Sequence, residues 1–319
     1  MKFSPLKFQG SLAAAGVSLM PFNYMKSTVF KGIPFHLNHF KTLDLTSFEY
    51  FSSILLIAIM LVFIILHLTM TTMFLKELIV WLIKGKEFYQ ILDNPKANTS
   101  LFSPLISLPM SLIVIMGPLS FFIPNISQNI STLIPVAMAI FTLLWFTVIM
   151  LEVTVVRKLQ SSKIPLSDFN FAWLLDVLAF GAVSLLGSSL TGSTSGNLAS
   201  IVALMTSITL VIGIILSFTK VTILFYHYLK VKREVPVNLK PAFYLIIPPL
   251  CLLWFSAYKI LGFISKMFSV DTSVLSFLII IGSYASAVIC FVFLAFMLFD
   301  YFKSQFLRSE FSPAQWGII

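Results

Sequence analysis

Apolar runs long enough to cross a lipid bilayer follow one another along this chain, separated by short polar turns. A helix needs about 20 apolar residues to span the hydrocarbon core. Runs at about 8–25, 50–75, 103–123, 132–156, 168–190, 199–229, 241–264 and 273–302 meet or approach that need, and a ninth begins near Phe311. Backbone amides and carbonyls find no water inside a bilayer, so such runs must satisfy themselves as helices. The expected fold class is an all-α polytopic membrane protein, with eight spans and the start of a ninth. Charged residues are only 10% of the chain, against about 25% in soluble domains, which excludes a water-soluble enzyme. Residues 1–25 lack a small-residue cleavage site and lead into a lysine-bearing loop, so they read as a retained span.

The formal net charge of +9 does not point to nucleic acid. The basic residues sit in short loops, where they encode topology. Lys2 and Lys7, with the loops after the even spans, hold fifteen of them; Lys26, Lys31, Lys41, Lys259 and Lys266 are the five on the opposite side. The positive-inside rule then places the N-terminus in the cytoplasm. The loops PNISQNIST and GSSLTGSTSGN carry no charge, which fits the opposite side. Residues 76–100 form the longest cytoplasmic connection, expected to continue the second span as helix and turn at Asp93-Asn94-Pro95. Cys251 and Cys290 lie in apolar spans and read as small buried residues, with neither a disulfide nor a metal site expected.

The spans come in two alternating kinds. Odd spans contain Pro or paired Gly: Gly16 and Pro21, Pro109 and Pro118, Gly181 and Gly187, Pro248 and Pro249. Even spans are longer, smoother and end in Lys or Arg, although Pro135 and Gly213 fall in two of them. Irregular backbone survives at membrane depth only where it is buried in protein or lines a wet cavity. The alternation therefore predicts repeated hairpins, with broken helices inside and smooth ones outside. That is an architecture for transport.

Three stretches resemble the tellurite-resistance/dicarboxylate transporter family, which includes bacterial tellurite-resistance channels, yeast malate and sulfite transporters and plant slow anion channels. The first is Asp93-Asn94-Pro95 with Phe102, Pro104 and Ser107-Leu108-Pro109-Met110-Ser111-Leu112. The second is Leu239-Lys240-Pro241 with Ile247-Pro248-Pro249. The third is Phe311-Ser312-Pro313 with Trp316. The resemblance implies helical hairpins around a central pore in a quasi-fivefold arrangement, odd helices lining the pore, and a homotrimer with one pore per subunit. It implies small inorganic or organic anions as substrates: chloride, nitrate, sulfite, tellurite or a dicarboxylate. A family member has two more helices than the eight spans read here, so residues 1–319 are expected to be a single transmembrane domain lacking the last two. A prokaryotic cytoplasmic membrane is the expected location.

On the odd spans, Ser107, Ser111 and Ser184 are candidate hydroxyl donors for an anion, and Phe22, Phe180 and Phe255 are candidate constrictions. Pro109, Pro118, Pro248 and Pro249 are the expected bends along the path. Asp176 is awkward, since a bare carboxylate at that depth is expensive and repels anions. It is expected either to pair with Lys or Arg or to carry a proton and couple anion movement to it. His67, Glu152, Lys220 and His227 fall in even spans, and Lys259, near the extracellular end of the seventh, is placed to attract anions. No zinc-protease helix motif or acidic cluster for diphosphate chemistry occurs, and Gly192-Ser193-Thr194-Ser195-Gly196 lacks a base and the strand–turn–helix setting of a nucleophile elbow. No cofactor is implied, and an enzyme is not expected. A channel-like anion path is the leading expectation, with a proton-coupled organic-anion or sulfite carrier as its rival.

Overall fold

In the computed structural model, which describes residues 3–165, 168–231, 236–306, 308 and 315, each of the eight apolar runs is helical, and no strand occurs among the described residues. The helices are α1 (Phe8–Tyr24), α2 (Ser47–Lys84), α3 (Ser103–Met116), α4 (Ile130–Ser161), α5 (Leu175–Ser193), α6 (Gly196–Val231), α7 (Ile247–Phe268) and α8 (Ser273–Met297). Those from α2 onward, several with their short flanking turns, make seven segments long and apolar enough to cross a membrane. α1 has 17 residues, about 25 Å at 1.5 Å per residue, and extends through a wide turn at Met25–Val29. The expected ninth start at Phe311, Pro313 and Trp316 lies outside the described residues, as do Lys232 and Arg233.

Local chemistry sets the ends. Thr46 and Glu49 form a reciprocal capping box that starts α2. Gly85, at φ 67°, stops it, a conformation in which a Cβ is strained. A short helix, Lys86–Leu92, follows, and the chain turns at Asp93-Asn94-Pro95. Asp271 accepts the Ser273 amide at 2.9 Å, which helps start α8 and holds the Asp271 carboxyl below its usual range.

Inner helices follow one another in an arc: α1 packs on α3, α3 on α5 and α5 on α7. Even helices lie outside it, α2 against α1, α4 and α6 against α5, and α8 against α7. Burial follows the same order except at α6 and α7, whose most apolar stretches are 39% and 33% buried. The most apolar stretch of the α5 segment is 94% buried, against 22% for α2 and α4 and 6% for α8. The even helices offer their apolar faces to lipid, which is why they read as uniformly hydrophobic.

The Pro and Gly signals resolve differently from place to place. Pro21 and Pro109 lie inside α1 and α3. α3 ends at Gly117, and Pro118 opens a new short helix, Pro118–Phe122, from its first position, where no amide is needed. Pro248 and Pro249 occupy the first turn of α7, after a 3-10 stretch at Val237–Ile246, so they begin a helix rather than break one. α5 runs unbroken through Gly181 and Gly187. Those glycines serve packing. A Cβ at Gly181 would stand 3.0 Å from Leu252 Cβ of α7, and one at Gly187 would meet Thr206 of α6 and the Phe141 ring of α4.

Candidate anion pathway

Ser11 of α1 is the hub of a buried polar knot. Its hydroxyl lies 2.7 Å from Ser107 of α3 and also contacts Thr71 of α2. The Ser11 carbonyl lies 2.6 Å from His67 Nδ1. A carbonyl only accepts, so that nitrogen carries a proton. His67 Nε2 faces Ser111 Oγ at 2.9 Å, and the same hydroxyl is 3.1 Å from the Ser107 carbonyl. Ser111 has one proton to give, so ring and carbonyl compete for it. The knot joins three helices with hydrogen bonds that no lipid can replace.

A second knot holds the charges. Asp176, in the first turn of α5, is fully buried. It pairs through Oδ2 with Lys220 of α6, and its Oδ1 accepts the Val177 amide at 2.6 Å. Lys220 also donates to the Trp173 carbonyl at 3.2 Å and sits 4.5 Å from the centre of the Trp173 ring. Glu152 of α4 brings a second carboxyl group against Asp176 and within the field of Lys220. Its two oxygens are buried and have no donor among the described residues.

The contacts of several expected pathway residues point outward from the arc. Ser184 donates to Thr209 of α6 at 3.0 Å. The Phe180 Cβ lies 3.1 Å from where a Gly213 side chain of α6 would begin, so its side chain is packed into the α5–α6 contact. Asp176, Phe180 and Ser184, spaced by four, thus form one stripe turned to the even helices. Ser107 and Ser111 are likewise engaged with α1 and α2. Pro109, Pro118 and Pro249 are buried, while Pro248 is half-buried.

Phe22 and Phe255 sit differently. Phe22 is half-buried and meets Phe35 edge-on at 5.3 Å. The Lys26 ammonium lies 5.5 Å from the Phe22 ring centre, and the Lys259 ammonium 4.9 Å from that of Phe255. Lys259 also donates to Ser189 of α5 at 2.8 Å. Lys26 stands at the same end of the arc, within electrostatic reach of Lys259. Neither has a carboxylate partner among the described residues. A ring face beneath each cation stabilises it without cancelling its charge. This end of the arc, opposite the N-terminus, therefore presents two lysines without a direct carboxylate partner beside two phenylalanines.

The family model described as SLAC1, voltage-dependent anion channel, matches residues 2–319. The chain belongs to that family. No curated protein and no solved structure matches it. The membership is the one the sequence landmarks pointed to, and it makes the protein a membrane transporter of anions in general terms. Within a SLAC1-family chain, the Lys26–Lys259 pair is the feature that sequence reading missed in part. Lys259 stood out alone, while Lys26 was read only as a loop charge. The signal was present as Phe-x-x-x-Lys at Phe22–Lys26 and again at Phe255–Lys259.

Proposed function

We propose that this SLAC1-family protein passes small anions, channel-like, along the face shared by α1, α3, α5 and α7, and that they enter past Lys26 and Lys259. The observation that carries the reading is that Lys26 and Lys259 each lie over a phenylalanine ring at one end of the arc, neither with a carboxylate partner among the described residues. Such a site lowers the cost of bringing an anion out of water yet makes no deep trap, as conduction requires. Phe22 and Phe255 narrow the same entrance. Chloride, nitrate, sulfite, tellurite and dicarboxylates are the candidate substrates. The family resemblance supports reading residues 1–319 as a single membrane domain lacking the family's last two helices, in a homotrimer of a prokaryotic cytoplasmic membrane, and the loop charges support an N-terminus inside.

Planar bilayers holding the purified protein test this under chloride, nitrate, sulfite and malate gradients. Reversal potentials that follow the anion are expected. Lys26→Gln/Lys259→Gln is expected to lower anion current roughly tenfold at low salt, because a charged entrance concentrates counter-ions. At 1 M salt, where charges are screened within about 3 Å, the loss should shrink to little. Reversal potentials set by cations would sink the proposal.

One observation favours a second reading, a proton-coupled anion carrier. Two buried carboxyl groups, Glu152 and Asp176, share one lysine. Uptake into liposomes driven by a proton gradient, without bilayer current, would establish it. Glu152→Gln should then remove the gradient's effect, and an unchanged proton dependence in that variant would reject the role.

A further inference from the structure

At the end of α2 nearest the N-terminus, the surface holds a cavity of about 820 Å³ that the anion pathway does not use. Its charge is unbalanced. Lys76, Lys84 and Lys86 line it together with Glu77 and Glu87. Glu77 is already neutralised by Lys7 at 2.7 Å, and Glu87 accepts the Trp81 indole N–H at 3.0 Å. Counting Lys7, four lysines face two glutamates, a surplus of two positive charges. The three lining lysines are exposed and make no ion pair among the described residues.

The remaining wall is apolar. Val80 lines it beside Trp81, which Phe3 covers at 5.4 Å between ring centres. On the same stretch of α2, Ile79 is 51% exposed and Ile83 80% exposed, both between Lys76 and Lys84. An exposed isoleucine between lysines is costly in water and favourable against acyl chains. Tryptophan and lysine together mark the level where headgroups meet hydrocarbon. α2, at 38 residues, is about 57 Å long and overreaches a hydrocarbon core of about 30 Å, so its end must emerge through that boundary.

We propose that this cavity binds an anionic glycerophospholipid, its phosphate held by Lys76, Lys84 and Lys86 and its upper acyl chain lying along Val80 and the exposed isoleucines. A free phosphate satisfies the lysines alone and leaves the apolar wall in water. A zwitterionic lipid satisfies the wall but brings its own cation to the lysines. Only the anionic lipid matches both. The site lies at the end that the loop charges assign to the cytoplasm, and it stands independently of what passes through the pathway.

The test is quenching of Trp81 fluorescence in the purified full chain by brominated phosphatidylglycerol or brominated phosphatidylcholine, the Trp81→Phe variant defining its contribution. Phosphatidylglycerol is expected to quench at the lower concentration, by about fivefold for each engaged lysine. Lys76→Gln/Lys84→Gln/Lys86→Gln should erase that preference, and the matching Arg variants should keep it. Equal quenching by the two lipids overturns the proposal, as does a preference that survives the triple Gln variant. Displacement of the brominated lipid by millimolar inorganic phosphate overturns the lipid assignment and makes the lysines a free-anion site.

Discussion

Lys220 stands beside two buried carboxyl groups, and its removal separates charge from packing at this site. A buried ion pair is weak evidence of stability, but half of one is strongly unfavourable. Lys220→Met leaves Asp176 and Glu152 together with no nearby cation from α6. It is expected to cost roughly 3–5 kcal/mol, read as a lower thermal midpoint in detergent. Asp176→Asn/Lys220→Met should recover most of that loss, since neutral groups of similar size replace the pair. Equal losses in the single and double variants would assign the cost to packing alone. The sequence left Asp176 either paired with Lys or Arg or carrying a proton, because a lone carboxylate in a span is expensive. It did not show which. The partner is 44 residues away on the next helix, and only the packing of α5 on α6 brings it near. His67 was legible only as a polar residue in an even span, and the Ser11 hub was not. A serine in an apolar run looks the same whether it bonds its own helix or three neighbours.

Whole helices were the most legible scale. Eight apolar runs gave eight helices, and the capping box at Thr46 and the Asp93-Asn94-Pro95 turn lie where local chemistry puts them. Pro and Gly were read as breaks in the odd helices. α5 shows why that was incomplete, since glycine serves close approach as readily as bending. At Gly187 a methyl group would run into the Phe141 ring at 2.8 Å and into Thr206. Gly192, five residues on in the same helix, has nothing within 4 Å. Gly187→Ala is therefore expected to lower stability by about 1–3 kcal/mol, as overpacking does. Gly192→Ala should leave it unchanged or slightly raised by helix propensity. Thr206→Ala added to Gly187→Ala should restore only part, because the Phe141 contact remains. Thermal unfolding of the three variants in one detergent decides it; equal midpoints for Gly187→Ala and Gly192→Ala would refute close packing as the reason for Gly187.

For the whole molecule the deciding quantity is which end faces the cytoplasm. Fifteen basic residues against five are the sequence's argument for a cytoplasmic N-terminus, and the packing alone adds none. The fold makes the consequence specific. With the N-terminus inside, Lys26 and Lys259 guard the extracellular entrance, and the lysines at the end of α2 meet the leaflet where anionic lipids lie. With the opposite orientation, the same lysine pair would draw anions from the cytoplasm and the lipid site would face outward. Two exposed positions report the sides. Ser195 lies in the uncharged turn between α5 and α6, and Ser161 ends α4 beside the basic loop. In a Cys251→Ser/Cys290→Ser background, an impermeant maleimide applied to intact cells should label Ser195→Cys. Ser161→Cys should react only after the membrane is opened. The reverse pattern would invert the orientation and move the proposed anion entrance to the cytoplasm. Labelling of both positions in intact cells would mean that the reagent crosses, which a large conducting path permits. Blocking current with an impermeant anion during labelling separates that case, because occlusion should then protect Ser161→Cys and leave Ser195→Cys reactive.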